Sequence, residues 1–365
     1  MGGSEFAAAA EAKPVRVKVM TRNVYLGADL GPALTETTEI GLYEEAAKIL
    51  EAVRETNFTS RSELLADEIA AAKPHLIGLQ EVALWRRGPK GLIDGPTTPA
   101  TAVLYDFLDI LRSDLRARGL DYRVGFVQRE TDFEIPLDPV ADDQLGDAGD
   151  TSGMRDGRGT MRDVILVRGD VATTRHRGAN YNIRLPVDIA PDGDGPEDIL
   201  APRGWASVDA NVKGARFRFV NTHLEAFAAP VRQGQASELV FAGGPTDSRK
   251  PVILAGDLNS DDELVETGTG SQADEGPYEL ITDAGFVERS VDVPGIPEDR
   301  YACCFHNPGI DDPLDFFDHN VDHVMVDKPA IRLVRSYVTG DSFMTPDGLW
   351  ASDHGGIVSV LKFRR

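Results

Sequence analysis

Gly256-Asp257-Leu258-Asn259 follows the apolar run Val252-Ile253-Leu254-Ala255, and Ser352-Asp353-His354-Gly355 precedes the run Ile357 to Leu361. A carboxylate, an amide and an imidazole gathered at strand ends can hold a divalent cation and cut a phosphate ester. A hard cation such as Mg²⁺ needs only one or two carboxylates beside waters and a substrate phosphate. A histidine near its neutral pKa can take a proton from water or, when charged, steady a phosphoryl oxygen. The alternation after Gly256 puts Asp257 and Asn259 on one side, where Asp257 can handle a proton and Asn259 can donate its amide.

Similar residues end other strand-like runs. Val15, Val17 and Val19 alternate with basic residues as in a half-buried strand, and Asn23 lies just beyond them. Glu81 follows the apolar stretch Leu76 to Leu79. His223 ends Phe217 to Val220, in Asn221-Thr222-His223-Leu224. Asp322 precedes Val324-Met325-Val326 and is a candidate to fix the tautomer of a histidine. Taken singly, each is an ordinary turn or cap residue. Taken together, all at strand ends, they point to one oxygen-rich site. His75, His176, His306 and His319 read as surface or core residues.

These residues span positions 23 to 354, no linker interrupts them and no repeat has a fixed period. We therefore expect one domain over 15–365 after a short, vector-derived or flexible start (1–14). Export, with a leader already removed, is the expectation for localisation. Apolar periodicity predicts helices carrying Leu42, Ala46, Ile49, Leu50 and Val53, then Leu64, Leu65 and Ile69, then Leu104, Phe107, Leu108, Leu111 and Leu115. Ser60 and Glu63 have the spacing of a capping box. Residues 128–160 and 188–198, rich in Asp, Gly and Pro, read as long loops. With the segment 85–101, the first of these is where substrate selection would sit.

The 365 residues are 41% hydrophobic, enough for a sizeable core, and no stretch reaches membrane-spanning length. The formal charge of −22 opposes diffuse binding to a polyanion. A bound cation would change the local sign, so a nuclease stays open. The two cysteines, Cys303 and Cys304, are adjacent. Neighbours make a poor disulfide ring, so two buried thiols are expected, with a strained redox pair as the alternative.

The ordered set resembles the endonuclease/exonuclease/phosphatase (DNase I-like) superfamily from about Val15 to the C-terminus. The resemblance rests on Asn23, Leu79-Gln80-Glu81-Val82, Asn221-Thr222-His223-Leu224, Gly256-Asp257-Leu258-Asn259, Val321-Asp322-His323-Val324 and Ser352-Asp353-His354-Gly355. It implies a four-layer α/β sandwich of two packed mixed β-sheets flanked by helices, with the site at one rim. It implies that Asn23, Glu81 and Asp353 surround Mg²⁺, with Mn²⁺ or Ca²⁺ as alternatives. It implies that His354, oriented by Asp322, and Asp257 handle protons around an attacking water, and that His223 and Asn259 hold the phosphate. Arg162 falls where some members place a phosphate contact. His323 departs from the family's usual residue, as an extra imidazole near the rim or a variant.

The substrate expected is a phosphoester: a small molecule, a lipid head group or nucleic acid. A metal-dependent phosphodiesterase fits the acidic chain best. A secreted nuclease would need Arg22, Arg86, Arg87 and Lys90 to line a groove. An inositol-phosphate type monoesterase would need clustered Lys or Arg. A binding module without activity would have lost site residues, and all six motifs are present. No protein partner is implied.

Overall fold

The computed structural model describes residues 14–89, 100–137, 155–187, 199–261, 265–266, 272–273, 275–290, 301–305, 309–315 and 317–363. Residues 1–13 of the vector-like start, 90–99 (Lys90 among them) and 138–154 of the two expected selector segments, the whole acidic segment 188–198 and His306 lie outside them. In chain order come β1 (Val15–Asn23), α1 (Gly31–Thr35), α2 (Glu39–Glu55), α3 (Phe58–Ala72), β2 (Leu76–Gln80), β3 (Leu84–Gly88), β4 (Ala102–Asp106) and α4 (Phe107–Ala117). Next are β5 (Tyr122–Leu137), β6 (Arg155–Arg168), β7 (Ala172–Asn180), β8 (Leu185–Val187), β9 (Ile199–Ala201), β10 (Gly204–Val212), β11 (Ala215–His223) and α5 (Ala229–Val240). The chain closes with β12 (Val252–Asp257), β13 (Val265–Glu266), β14 (Gln272–Ala273), α6 (Gly276–Asp283), β15 (Val287–Glu288), β16 (Asp322–Val326), β17 (Arg332–Thr339) and β18 (Gly356–Phe363).

Two mixed sheets carry the fold. The first runs β17-β18-β1-β2-β6-β3-β4, with β5 also on β6, and the second runs β15-β16-β12-β11-β10-β7. Strand alternation sorts the apolar side chains into three layers. Val17, Val19, Phe217, Phe219, Ile253, Ala255, Val324 and Ile357 fill the space between the sheets. Ile49, Val53, Leu65, Ile69, Leu111, Ile77 and Leu166 join the first sheet to α2, α3 and α4. Val220, Leu254, Met325, Ala236, Leu239 and Ile281 join the second sheet to α5 and α6. The order is helix, sheet, sheet, helix, the four-layer α/β sandwich expected. No helix among the described residues is long and apolar enough to cross a membrane.

The same alternation aims the polar strand ends. Because Val17 and Val19 face the other sheet, so does Asn23; by the same step of two, so do His223, Asp257 and Asp322. β11 and β12 run parallel and bring His223 opposite Asp257. β16 runs antiparallel to β12 and brings Asp322 opposite Asp257. β18, antiparallel to β1, begins just after Asp353-His354. All these ends meet at one lip.

Buried amides cross between the sheets below that lip. Gln80 Nε2 donates to Asn221 Oδ1 (2.7 Å) and Asn221 Nδ2 donates to the Leu79 carbonyl (3.0 Å). Gly78 makes this possible, since a Cβ there would stand 2.2 Å from Asn221 Oδ1.

Three local expectations change. The cap of α3 is Asn57, whose side chain accepts from the Ser60 amide (3.3 Å), so Ser60 lies inside the helix. Leu104 belongs to β4, and α4 starts at Phe107. Residues 128–137 and 155–160 are strand, the paired arms of β5 and β6. Two register shifts, at Val124/Phe126 and Arg129/Asp132, interrupt the period of two and leave only a short alternating stretch from Phe133 to Leu137.

Candidate active site

Asp257 Oδ2 is the hub. Asn23 Nδ2 donates to it at 3.0 Å, His223 Nε2 lies 3.5 Å away and His354 Nε2 3.8 Å away. The other oxygen, Oδ1, accepts the Asn259 amide N–H (2.9 Å), which closes the turn after β12. Asn259 holds φ at +47°, and its side-chain amide donates to the Leu224 carbonyl (2.9 Å). Gly256 lets β11 approach, since a Cβ there would lie 2.1 Å from the Thr222 carbonyl oxygen.

The two imidazoles differ in charge. His354 Nδ1 lies 2.7 Å from Asp322 Oδ2 in a buried pair. Burial alone would lower its pKa, but the charges of Asp322 and Asp353 and the Asp322 hydrogen bond outweigh burial and raise it to about 10. His223 goes the other way: burial, then the Arg203 guanidinium, push it down to about 3 against the pull of Asp257. Arg203 Nη1 sits 3.1 Å from His223 Nδ1. A guanidinium only donates, so Nδ1 accepts and the ring proton is on Nε2, facing Asp257.

Glu81 and Asp353 form the acidic side. Glu81 turns out of β2 with φ at +58°, and its Oε2 accepts the Leu26 amide (2.7 Å). Burial first, then the charge of Asp353, raise its pKa. Ser352 Oγ donates to the Asn23 carbonyl (2.9 Å), which seats Asp353 beside the end of β1. Asn23 Oδ1 accepts the Tyr25 amide (2.9 Å) and keeps a lone pair. Two carboxylates repelling each other beside a neutral oxygen are an all-oxygen donor set, the kind a hard divalent cation takes. The residues present fit such an ion.

The structure brings together Asn23, Glu81, His223, Asp257, Asn259, Asp322, Asp353 and His354. Arg162 is not among them. Its Nε and Nη2 donate to the Val82 and Ala83 carbonyls (2.8 and 3.1 Å), and Nη2 pairs with Asp106 at 2.7 Å. It is a buried brace for the turn after β2, with its Nε and Nη2 donors engaged there. His323 also points away: its Nδ1 meets Glu288 Oε2 (2.8 Å) and its Nε2 the Ser260 carbonyl (2.8 Å), under the ring of Tyr278 in α6.

Sequence reasoning missed Arg203, which precedes β10 in a Pro-Arg-Gly turn that carries no motif. It lies 3.9 Å from Glu130 and 3.6 Å from Glu225, both buried. It also missed His319, which is buried and lines the same cavity. Cys303 and Cys304 are joined as a disulfide, not held as two thiols. Both sulfurs lie 3.8 Å from His354 Nε2. His75 keeps its structural role, accepting the Lys18 amide (2.9 Å) between β1 and β2.

A sequence model of the endonuclease/exonuclease/phosphatase family matches residues 53–354. The chain belongs to that family. Solved structures agree in fold. A family protein from Bacteroides thetaiotaomicron is 16% identical with a TM-score of 0.53, covering 97% of this chain and 100% of its own. A second, from Beutenbergia cavernae, is 17% identical with a TM-score of 0.53, covering 96% and 72%. A mannosyl-6-phosphatase from B. thetaiotaomicron VPI-5482 is 18% identical with a TM-score of 0.51, covering 95% and 100%. No curated protein sequence matches the chain. Membership makes this a phosphoesterase or nuclease type of hydrolase.

Proposed function

We propose that this family member is a divalent-metal-dependent phosphodiesterase in which an activated water attacks phosphorus in line. The observation that carries this reading is the position of Asp257 Oδ2, which one carboxamide and two imidazoles surround in the cavity that Glu81 and Asp353 also line. Asn23, Glu81 and Asp353 would hold the ion, most simply Mg²⁺, with Mn²⁺ or Ca²⁺ satisfying the same oxygen chemistry. When bound, the ion neutralises charge that builds on the transferring phosphoryl oxygens.

The remaining work falls to the chain's own groups. Asp257 is an acceptor for the proton of the attacking water. His354, held by Asp322, presents Nε2 to Asp257 and to the phosphoryl group, where positive charge favours the transition state. His223 presents a neutral Nε2–H because Arg203 occupies its other nitrogen. Asn259 uses one amide hydrogen on Leu224 and has the second for a phosphoryl oxygen. Positioning and preset electrostatics carry most of the barrier reduction.

A diester suits the charge balance. Among the described residues, Arg203 is the only Arg or Lys lining the cavity, and it is already paired with acids. A diester carries one negative charge; a monoester dianion calls for more compensation. The basic groove of a nuclease has little support. Arg22 is buried and donates to Glu68 (3.0 Å) and to the backbone carbonyls of Asn23 (3.1 Å) and His354. Arg86 pairs with Asp132. The test is hydrolysis of bis-nitrophenyl phosphate and supercoiled plasmid side by side with Mg²⁺ or Mn²⁺. The diester should be cleaved and the plasmid left intact; plasmid nicking at low enzyme would turn the reading to a nuclease.

A further inference from the structure

The cavity that contains the catalytic lip, about 350 Å³, extends well past it. Its polar end is Glu81, His223, Asp257, Asn259, Asp353 and His354. From there it runs between the apolar face of α2 and one face of the β5 arm. Leu42, Ala46, Ile49 and Leu50 have the 4-3-1 spacing of a single helix face. Phe133, Ile135 and Leu137 have the step of two of a single strand face. Trp85 forms part of the wall; its indole N–H donates to the Leu26 carbonyl (3.0 Å) and its ring meets Phe133 edge-on at 6.0 Å. Phe227, 45% exposed, contributes an aromatic ring to the lining.

We infer that this apolar chamber is a substrate subsite that takes a long apolar chain esterified to the scissile phosphate. The inference rests on the phosphodiesterase reading and names its substrate class. Three features carry it. The chamber is continuous with the lip, so a phosphate held there can send one ester group into it. It has a helix face on one side and a strand face on the other, a slot suited to an extended chain. Its lining offers apolar side chains where a sugar or a second phosphate would need donors and cations. A nucleotide chain would leave its next phosphates against leucine and phenylalanine, uncompensated.

The test separates binding from turnover. Calorimetric titration of the whole chain, with chelator present, compares methyl-, butyl- and octylphosphonate as monomers in solution. Affinity should rise by roughly threefold to fourfold for each methylene that enters the chamber. Leu34→Asp and Ile135→Asp, half-buried positions on α1 and β5, should flatten that rise. A flat series in the unaltered protein overturns the subsite. A parallel kinetic series of nitrophenyl alkyl phosphodiesters, with Mg²⁺ or Mn²⁺, should show the same slope in kcat/KM. If every ester including the methyl ester resists hydrolysis while the calorimetric slope persists, the phosphodiesterase reading fails and the apolar subsite stands.

Discussion

Two imidazole–carboxylate pairs are built on consecutive residues of one strand, and only one of them faces the cavity. Asp322 holds His354 at 2.7 Å, and His323 holds Glu288 at 2.8 Å. Both histidines are shifted upward, to about 10 and about 9, by the same contest in which a carboxylate outweighs burial. β16 alternates, so Asp322 shares a face with Val324 in the inter-sheet layer while His323 shares one with Met325 under α6. Facing inward, the first pair meets Asp257 and the cavity. Facing outward, the second meets the Ser260 carbonyl and does not line the cavity. A short imidazole–carboxylate contact and a raised pKa therefore do not mark a catalytic pair; the third group in reach does.

The largest break in this comparison should come from His354 of the inward pair and from Asp257, which it faces. His354→Ala and Asp257→Asn should each lower kcat on bis-nitrophenyl phosphate by about 10²–10⁴-fold, with the melting temperature little changed. Asp322→Asn keeps the shape and removes the charge that orients His354. It should cost roughly 10–100-fold, and the pH profile of kcat should move as the histidine loses its partner.

The outward pair should respond in stability instead. His323→Gln takes the imidazolium away from Glu288 Oε2, while Oε1 keeps the Arg289 and Ser290 donors. It should cost about 3 kcal/mol in chemical denaturation, with kcat near that of the unaltered protein. The pH dependence has a defined sign. The folded-state pKa of His323 lies above its unfolded value of about 6.5, so the pair's contribution is complete below about pH 6.5 and is lost as pH rises through about 9. The stability gap between the two proteins, on the order of 3 kcal/mol at low pH, should close across that window. A constant gap would show that His323 acts by packing alone. The smallest effect is expected at Arg162. Arg162→Met frees the Val82 and Ala83 carbonyls and should cost about 1–3 kcal/mol in stability, with KM unchanged, which separates a brace from a phosphate ligand.

Much of this site is legible in sequence because each of its residues ends an apolar run. Asn23, Glu81, His223, Asp257 and Asp322 follow or precede short hydrophobic stretches, and the step of two then fixes which way they face. What was hidden depends on contacts distant in sequence or on broken periods. Arg203 earns its place by meeting His223 and Glu225 across 20 and 22 positions, with no pattern around it. Arg162 has the right neighbourhood, and only its contacts show it turned to the Val82 and Ala83 carbonyls and Asp106. The 128–137 arm of β5 reads as a loop because the register shift at Arg129/Asp132 interrupts its alternation, and the apolar chamber it walls was hidden with it.

In the proposed reading, Glu81 and Asp353, with Asn23, hold a divalent ion that the phosphodiester chemistry needs. The most direct measurement strips the protein with chelator and then titrates Mg²⁺ or Mn²⁺ while following bis-nitrophenyl phosphate hydrolysis, in the unaltered chain and in Glu81→Gln. Activity should vanish on stripping, return in a saturable way with added ion, and stay at least about 10²-fold lower in Glu81→Gln at every ion concentration. Full turnover in chelator, or a Glu81→Gln protein that saturates and turns over like the unaltered chain, would contradict it.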